Sequence, residues 1–264
     1  MFLIEFLFWL PSWVLGLALL ATFVGGGLVA LWAVRRWLLP LLRVTYDDAE
    51  FASGAVQCAL LLYGLIAALI AVGVWERHSQ VEDIVSAEAT SISALWRDFG
   101  GYPEPERSGT REILRGYTVE IIQEAWPMQA QGKTPSMGVQ WMNRLQDQIF
   151  AFQPATDSQR IVHAEVLRAF NTLVQHRRER VDCVQGRLPG AFWLLLIPGA
   201  AVCTLMLTFF QVGDVRFHAL LLTVVSALMA MVLFLIIALD RPFSGMMAIG
   251  PDSYQLIYDH QMRQ

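Results

Sequence analysis

The residues whose types and spacing bear on chemistry lie inside apolar segments. Between Phe51 and Trp75, a run without charge, Ser53, Gln57, Gly64, Ala68 and Ala71 follow intervals of four, seven, four and three. In a helix such positions share one face. A weakly polar face of this kind has two uses: it lines a conduit, or it lets a second membrane helix approach closely. Ala200, Thr204, Thr208 and Gln211 repeat the pattern between Pro189 and Val212, and Thr223, Ser226 and Ala230 do so between Phe217 and Leu239. Hydroxyls in such helices also bond their own backbone. The pore-lining candidates are therefore Ser53, Gln57, Gly64, Ala68, Thr204 and Thr208. Glu76-Arg77 and Asp240-Arg241 close two of these segments. They suit either ion pairs that anchor helix ends or a charged ring at a pore mouth, whose field selects among ions.

Catalytic chemistry finds no support in the sequence. His78, His163, His176, His218 and His260 show no metal-binding spacing, and they are expected at the surface. Gly25-Gly26-Gly27 sits in an apolar run, without the strand or lysine that a phosphate loop needs; it permits either a bend or close helix packing. Cys58, Cys183 and Cys203 are too scattered for a disulfide framework or a zinc site. No cofactor and no metal are expected, and the chain is read as a non-enzyme. Its net charge of −4 is mixed in sign, which sets nucleic acid aside. No Asp, Glu, Lys, Arg or His lies in the middle of an apolar run, so the marks of a proton-coupled carrier are missing.

The elements that must position these residues follow from hydropathy. The chain is 55% hydrophobic and 16% charged, a balance that suits lipid better than a soluble core. Ser12 to Val34 is almost wholly apolar and, at about 1.5 Å per residue, reaches roughly 35 Å, enough for one span. It is expected to end at Arg35, Arg36 and Arg43. The start has neither a cationic flank nor a small-residue cleavage site, so it reads as a retained span rather than a signal peptide. Phe51–Trp75 is the second span. Pro189–Val212 and Phe217–Leu239 are the third and fourth, and the short Gly213-Asp214-Val215-Arg216 connection makes them antiparallel neighbours.

Of the chain's 42 charged residues, 28 lie between Glu76 and Leu188, so that stretch belongs in water. Its apolar residues recur at helical spacing, as in Val81, Ile84, Val85, Ile92, Leu95 and Phe99. Gly100-Gly101 with Pro103 should end its first helix, and Trp126-Pro127 with Gly132 and Pro135 its second. Thr156 and Gln159 have capping-box spacing for its fourth. With no breaker after Trp75, the first helix should continue span two, and the fourth should lead into span three. Arg177-Arg178-Glu179-Arg180 near that fourth helix's end reads as a solvated helix face or as a contact for anionic lipid or a partner.

The fold class is all-α: a polytopic membrane protein with four transmembrane helices in two pairs and a helical extramembrane domain between helices two and three. The domains are 1–75 (spans one and two), 76–188 (the water-facing domain), 189–240 (spans three and four) and 241–264 (a tail). With four spans the termini and the domain share one side. Arg77, Arg177, Arg178, Arg180, Arg187 and Arg241 on that side outnumber Arg35, Arg36, Arg43 and Arg216 on the other, which favours a cytoplasmic domain on a cell membrane, while the flank of the first span favours the opposite orientation.

Val74-Trp75-Glu76-Arg77, Trp126-Pro127-Met128, Arg177-Arg178-Glu179-Arg180 with Leu188-Pro189, and Ala238-Leu239-Asp240-Arg241-Pro242-Phe243-Ser244-Gly245 are the stretches by which the chain resembles the bacterial bestrophin-like family, over roughly residues 15 to 250. Through the more distant bestrophins, the resemblance implies a homo-oligomeric anion channel in the bilayer, its pore lined by second spans. The sequence departs from bestrophin in lacking an acidic calcium-clasp run, so calcium gating is not expected and anion selectivity is left open. The function expected is passive ion conduction. The alternative is a structural or sensory membrane scaffold whose helical domain docks a partner.

Overall fold

The computed structural model describes residues 12–42, 46–186, 188–210 and 212–263. The segment before Ser12, together with Arg43, Thr45, Arg187 and Gln211, lies outside them. Among the described residues all regular structure is helical: α1 Ser12–Ala33, α2 Tyr46–Asp98, α3 Glu106–Glu120, α4 Trp126–Ala130, α5 Met137–Ala151, α6 Asp157–Cys183, α7 Gly190–Leu207, α8 Val215–Leu239 and α9 Asp252–Ile257. The four stretches long and apolar enough to cross a membrane are Trp13–Leu41, Ser53–Gly101, Gly190–Leu207 and Val215–Leu239. The chain divides into two compact units, Met1–Glu76 with Arg187–Asp240, and Arg77–Gly186 with Arg241–Gln264.

Two helices run further than their sequence suggests, and for one reason. α1 does not stop at Arg35 but continues through a π turn, Val34–Leu38, into a last turn, Leu39–Leu42, that contains Pro40. α3 likewise passes through a π turn, Ile121–Ala125, into α4, which contains Pro127. A proline has no N–H for the carbonyl four residues back and crowds it. In both cases a wider turn stands just ahead of the proline, with the Leu39 N–H donating to the Val34 carbonyl and the Trp126 N–H to the Ile121 carbonyl, and the helix carries on. Of the breakers expected at the end of the second domain helix, Trp126-Pro127 is passed through and Gly132, whose φ of 72° closes the turn, is where it ends.

α2 is one helix of 53 residues, about 80 Å at 1.5 Å per residue, as the missing breaker after Trp75 implies. The matching expectation for span three fails, because α6 ends at Cys183 and α7 begins only at Gly190, beyond Gly186 and Pro189. At the start of α6, Gln159 N–H donates to the Thr156 hydroxyl, and the Gln159 side chain accepts from the Thr156 N–H, the reciprocal capping box its spacing implies.

In the first unit, α1 packs on α8 through two positions without a side chain, Gly16 and Gly27. A Cβ on Gly16 would sit 3.3 Å from the Phe234 ring, and one on Gly27 3.1 Å from Ser226 Oγ and 3.2 Å from Thr204 Cγ2. Gly25 and Gly26 meet nothing within 4 Å, and the helix runs through all three, so packing through Gly27 is what the triplet provides. Tyr63, Ala67, Ile70 and Val74 of α2 pack with Trp193, Leu196 and Ala200 of α7 and Leu233 and Ile236 of α8. The Tyr63 ring lies 2.7 Å from where Gly199 would carry a Cβ, and its hydroxyl donates to the Leu196 carbonyl at 2.9 Å.

In the second unit, Ile92, Leu95, Leu114, Tyr117, Leu145, Ile149 and Leu173 form the buried core. The segment after Asp240, set apart as a tail by its sequence, packs into it through Phe243, Tyr254 and Met262. Trp126 Nε1–H donates to the Ile249 carbonyl at 3.1 Å, and Gln261 Nε2–H donates to Ser93 Oγ at 2.8 Å.

Candidate functional site

The α2 face with small and polar residues is set apart from the face that packs. At about 100° per residue, Val56, Tyr63, Ala67, Ile70 and Val74 form one stripe, while Ser53, Gln57, Gly64, Ala68 and Ala71 form another roughly a quarter turn away. The first stripe is buried in its own chain. On the second, Gln57, Gly64 and Ala68 are exposed, and nothing lies within 4 Å of a Cβ built on Gly64. Gln57 Nε2 reaches Ser53 Oγ at 3.5 Å, a long contact between the two polar residues of the stripe. Leu61, Leu65 and Leu69 flank the stripe and are exposed too.

Thr204 and Thr208 lie elsewhere. Thr208 is fully buried, and its hydroxyl donates to the Leu205 carbonyl of its own helix at 2.7 Å. Thr204 packs beside Gly27 and is 6% exposed. The structure thus brings Ser53, Gln57, Gly64 and Ala68 together, and assigns the two threonines to the interior of the span bundle.

Two of the charges at the helix ends, Asp240 and Arg77, have local contacts. Asp240 is buried, and its Oδ1 accepts from the Leu188 N–H at 2.7 Å, which ties the end of α8 to the approach to α7. Arg77 lies against Gly186, where its guanidinium fills the place a Cβ would take, and its positive charge acts on the Cys183 thiol at the end of α6. Burial nevertheless pushes that thiol up. A cation there also complements the C-terminal pole of α6. Glu76 is exposed and Arg241 half-buried.

The sequence reading missed a buried charge cluster in the second unit. Glu88 is 0% and Arg180 1% exposed. Arg180 donates to Glu88 from Nε at 2.5 Å and from Nη2 at 3.3 Å; Tyr117 Oη donates at 2.6 Å and Tyr254 Oη at 3.1 Å. The Arg180 guanidinium lies 5.8 Å above the Trp126 ring. Burial, then the Glu88 charge, hold both tyrosine hydroxyls well above the ordinary phenol range. Burial works against the Arg180 charge, but Glu88 outweighs it and keeps that guanidinium protonated. Arg180 is therefore neither a solvated face nor a lipid contact. The signal was present: Glu88 falls on the Val85–Ile92 stripe, and Arg180 on the Leu173–Val184 stripe.

Nor are the histidines uniformly superficial. His218 is buried; its Nε2 is 3.0 Å from the Leu207 carbonyl, which it can only meet as a donor, so Nδ1 accepts from Arg35 Nη2 at 3.2 Å. His163 Nδ1 lies 2.6 Å from Tyr102 Oη, and His176 Nδ1 2.8 Å from Ser91 Oγ. Among the described residues no group of His, Cys, Asp and Glu could hold a metal ion.

Four apolar spans with a helical, charge-rich unit between the second and third define a polytopic α-helical membrane protein. A family model described as the bestrophin-like domain matches residues 21–254, and the chain belongs to the bestrophin-like family. Its fold matches the crystal structure of a bacterial bestrophin homolog from Klebsiella pneumoniae, in a point-mutant form, with a TM-score of 0.69 at 12% identity, over 92% of this chain and 98% of that one. No curated protein matches the sequence.

Proposed function

We propose that the protein is a homo-oligomeric ion channel that conducts passively along the α2 face bearing Ser53, Gln57, Gly64 and Ala68. The observation that carries this is the stripe itself: small, weakly polar, free of ionisable groups and left uncovered by its own chain. Leucine on the flanking positions suits lipid or a neighbouring copy, whereas Gln57 and Ser53 suit water or ions. Membership of the bestrophin-like family supports the channel reading. Thr204 and Thr208 are left out of the pore because they face the bundle interior. Glu76 supplies the exposed charge near one mouth, while Arg77 and Asp240 anchor helix ends. The water-facing domain is assigned to the cytoplasm of a cell membrane.

The test is single-channel recording from purified protein in planar bilayers under asymmetric chloride salt. Discrete currents that Gln57→Leu reduces, with the oligomer's mass unchanged, support the reading, and the reversal potential gives the sign of the permeant ion. Silence from a folded oligomer across voltage, pH and calcium would overturn it and leave the stripe as helix packing in a scaffold.

A further inference from the structure

The face of α2 that bears Gln57, Gly64 and Ala68 does not stop at Ala71. α2 is one α-helix from Tyr46 to Asp98, with no wider or tighter turn to break its register. Five turns take about 18 residues, so positions that far apart fall on the same side. Gln57 recurs at Trp75, Gly64 at Glu82 and Ala68 at Ser86, and all six are exposed. At Ser93, next in line after Trp75, the C-terminal segment reaches the face, where Gln261 Nε2–H donates to Ser93 Oγ at 2.8 Å. Within about 40° of the line through Gln57 and Trp75, the face between Ser53 and Ser93 holds a single ionisable side chain, Glu82.

Nothing nearby cancels that carboxylate. Glu82 makes no hydrogen bond or ion pair among the described residues. It borders a cavity of about 540 Å³ whose other titratable groups are His78, Asp83 and Asp252, and which no Lys or Arg lines. Arg77, five residues back, points about 140° away, against Gly186. The next cation on this side of α2 is Arg97, 15 residues on. That is about 22 Å, more than two Debye lengths at physiological salt. Among the described residues no group of His, Cys, Asp and Glu could hold a metal ion, so Glu82 acts through its field and not as a ligand. A cleft lined by one sign of charge concentrates the opposite ion and repels its own.

We infer that the conduit admits small inorganic cations in preference to anions, and that Glu82, repeated by every protomer, sets that sign. This rests on the conduction reading above and names the class of ion that it carries. The other members of the face offer an amide, hydroxyls, small side chains and an indole, none of them charged, so the sign of the field along it falls to Glu82.

The experiment records currents from the full-length protein in planar bilayers across a steep potassium chloride gradient, with EGTA on both sides, and takes the permeability ratio from the reversal potential. Potassium should permeate about tenfold over chloride, the low end of what a charged cleft achieves. Glu82→Gln should bring the ratio to within about twofold of unity, and Glu82→Lys should turn it in favour of chloride. Oligomer mass and helicity should not change in either, because the side chain is exposed and has no partner to lose. Glu112→Gln removes an exposed carboxylate from α3 and should leave the ratio where it was. An anion-selective parent, a ratio unmoved by both Glu82 variants, or an equal shift from Glu112→Gln overturns the inference while conduction itself stands. Silence from the folded parent oligomer overturns both.

Discussion

Arg180→Met removes the cation that bonds Glu88, which accepts four hydrogen bonds, two of them from Arg180. Two tyrosine donors remain, and the carboxylate is left in a site with 0% exposure. Breaking a buried pair by deleting one partner costs about 3–5 kcal/mol. Glu88→Gln should cost a similar amount, because it strands the Arg180 charge. The double variant Glu88→Gln/Arg180→Met is the informative one. It strands neither member of the pair, keeps an amide oxygen for the tyrosines and should cost only about 1–2 kcal/mol. The two single changes are therefore expected to be non-additive by about 4 kcal/mol or more. At about 3 °C per kcal/mol, each single variant should melt on the order of 10 °C below the parent, and the double variant about 5 °C below. The assay is thermal unfolding of the detergent-solubilised protein, followed by near-ultraviolet circular dichroism of the tyrosines and tryptophans around the cluster. Additivity of the two changes within about 0.5 kcal/mol would show that the pair is not coupled in the native state, and the reasoning would fail.

Other consequences are more local. Gly199→Ala drives a Cβ to 2.7 Å from the Tyr63 ring and should destabilise the span bundle by about 1–3 kcal/mol, read as a lower melting temperature in detergent. Tyr254→Phe should cost about 1 kcal/mol and loosen the C-terminal segment, measured as faster amide exchange over α9. Burial holds the His163 imidazole below its ordinary value, so below pH 6.5 the unfolded chain binds the proton more readily than the folded one. Stability from this site is present at neutral pH and declines as pH falls through that range, and His163→Gln should flatten the slope in a pH series of melting temperatures. Gly64→Leu, at a position where an added Cβ meets nothing within 4 Å, should leave folding intact yet block current in the recording that tests Gln57→Leu.

Length, hydropathy and breakers made the spans legible. Four charge-free runs, the glycines after Asp98 and the Thr156–Gln159 pair each act through local backbone chemistry, and the structure follows them. Local rules misjudged Pro127 and Arg35. A proline need not end a helix where a wider turn precedes it, the remedy seen at Ile121–Ala125 ahead of Trp126-Pro127. An arginine ends a span only if water is its best partner, and Arg35 instead finds the Val212 carbonyl and His218. Both remedies depend on groups that hydropathy does not see.

The charge cluster was hidden for a related reason. A charge at an apolar position is expensive alone, so a reading that takes helices one at a time sends Arg180 to the surface with its neighbours Arg178 and Glu179. Taken together, the stripes tell a different story. Glu88 stands three residues after Val85 and four before Ile92; Arg180 stands seven after Leu173 and four before Val184. One acid and one base, each alone on a core face, cost least when they meet, and two tyrosines on other elements supply the remaining donors. The α2 stripe differs in kind. Its residues carry no charge that demands a partner, and its own chain leaves it uncovered, so only the assembled protein can decide whether Gln57 faces water or another helix. That is why the decisive substitutions lie at Gln57 and Gly64: each changes what an oligomer would place on its axis while leaving the chain's own buried contacts untouched.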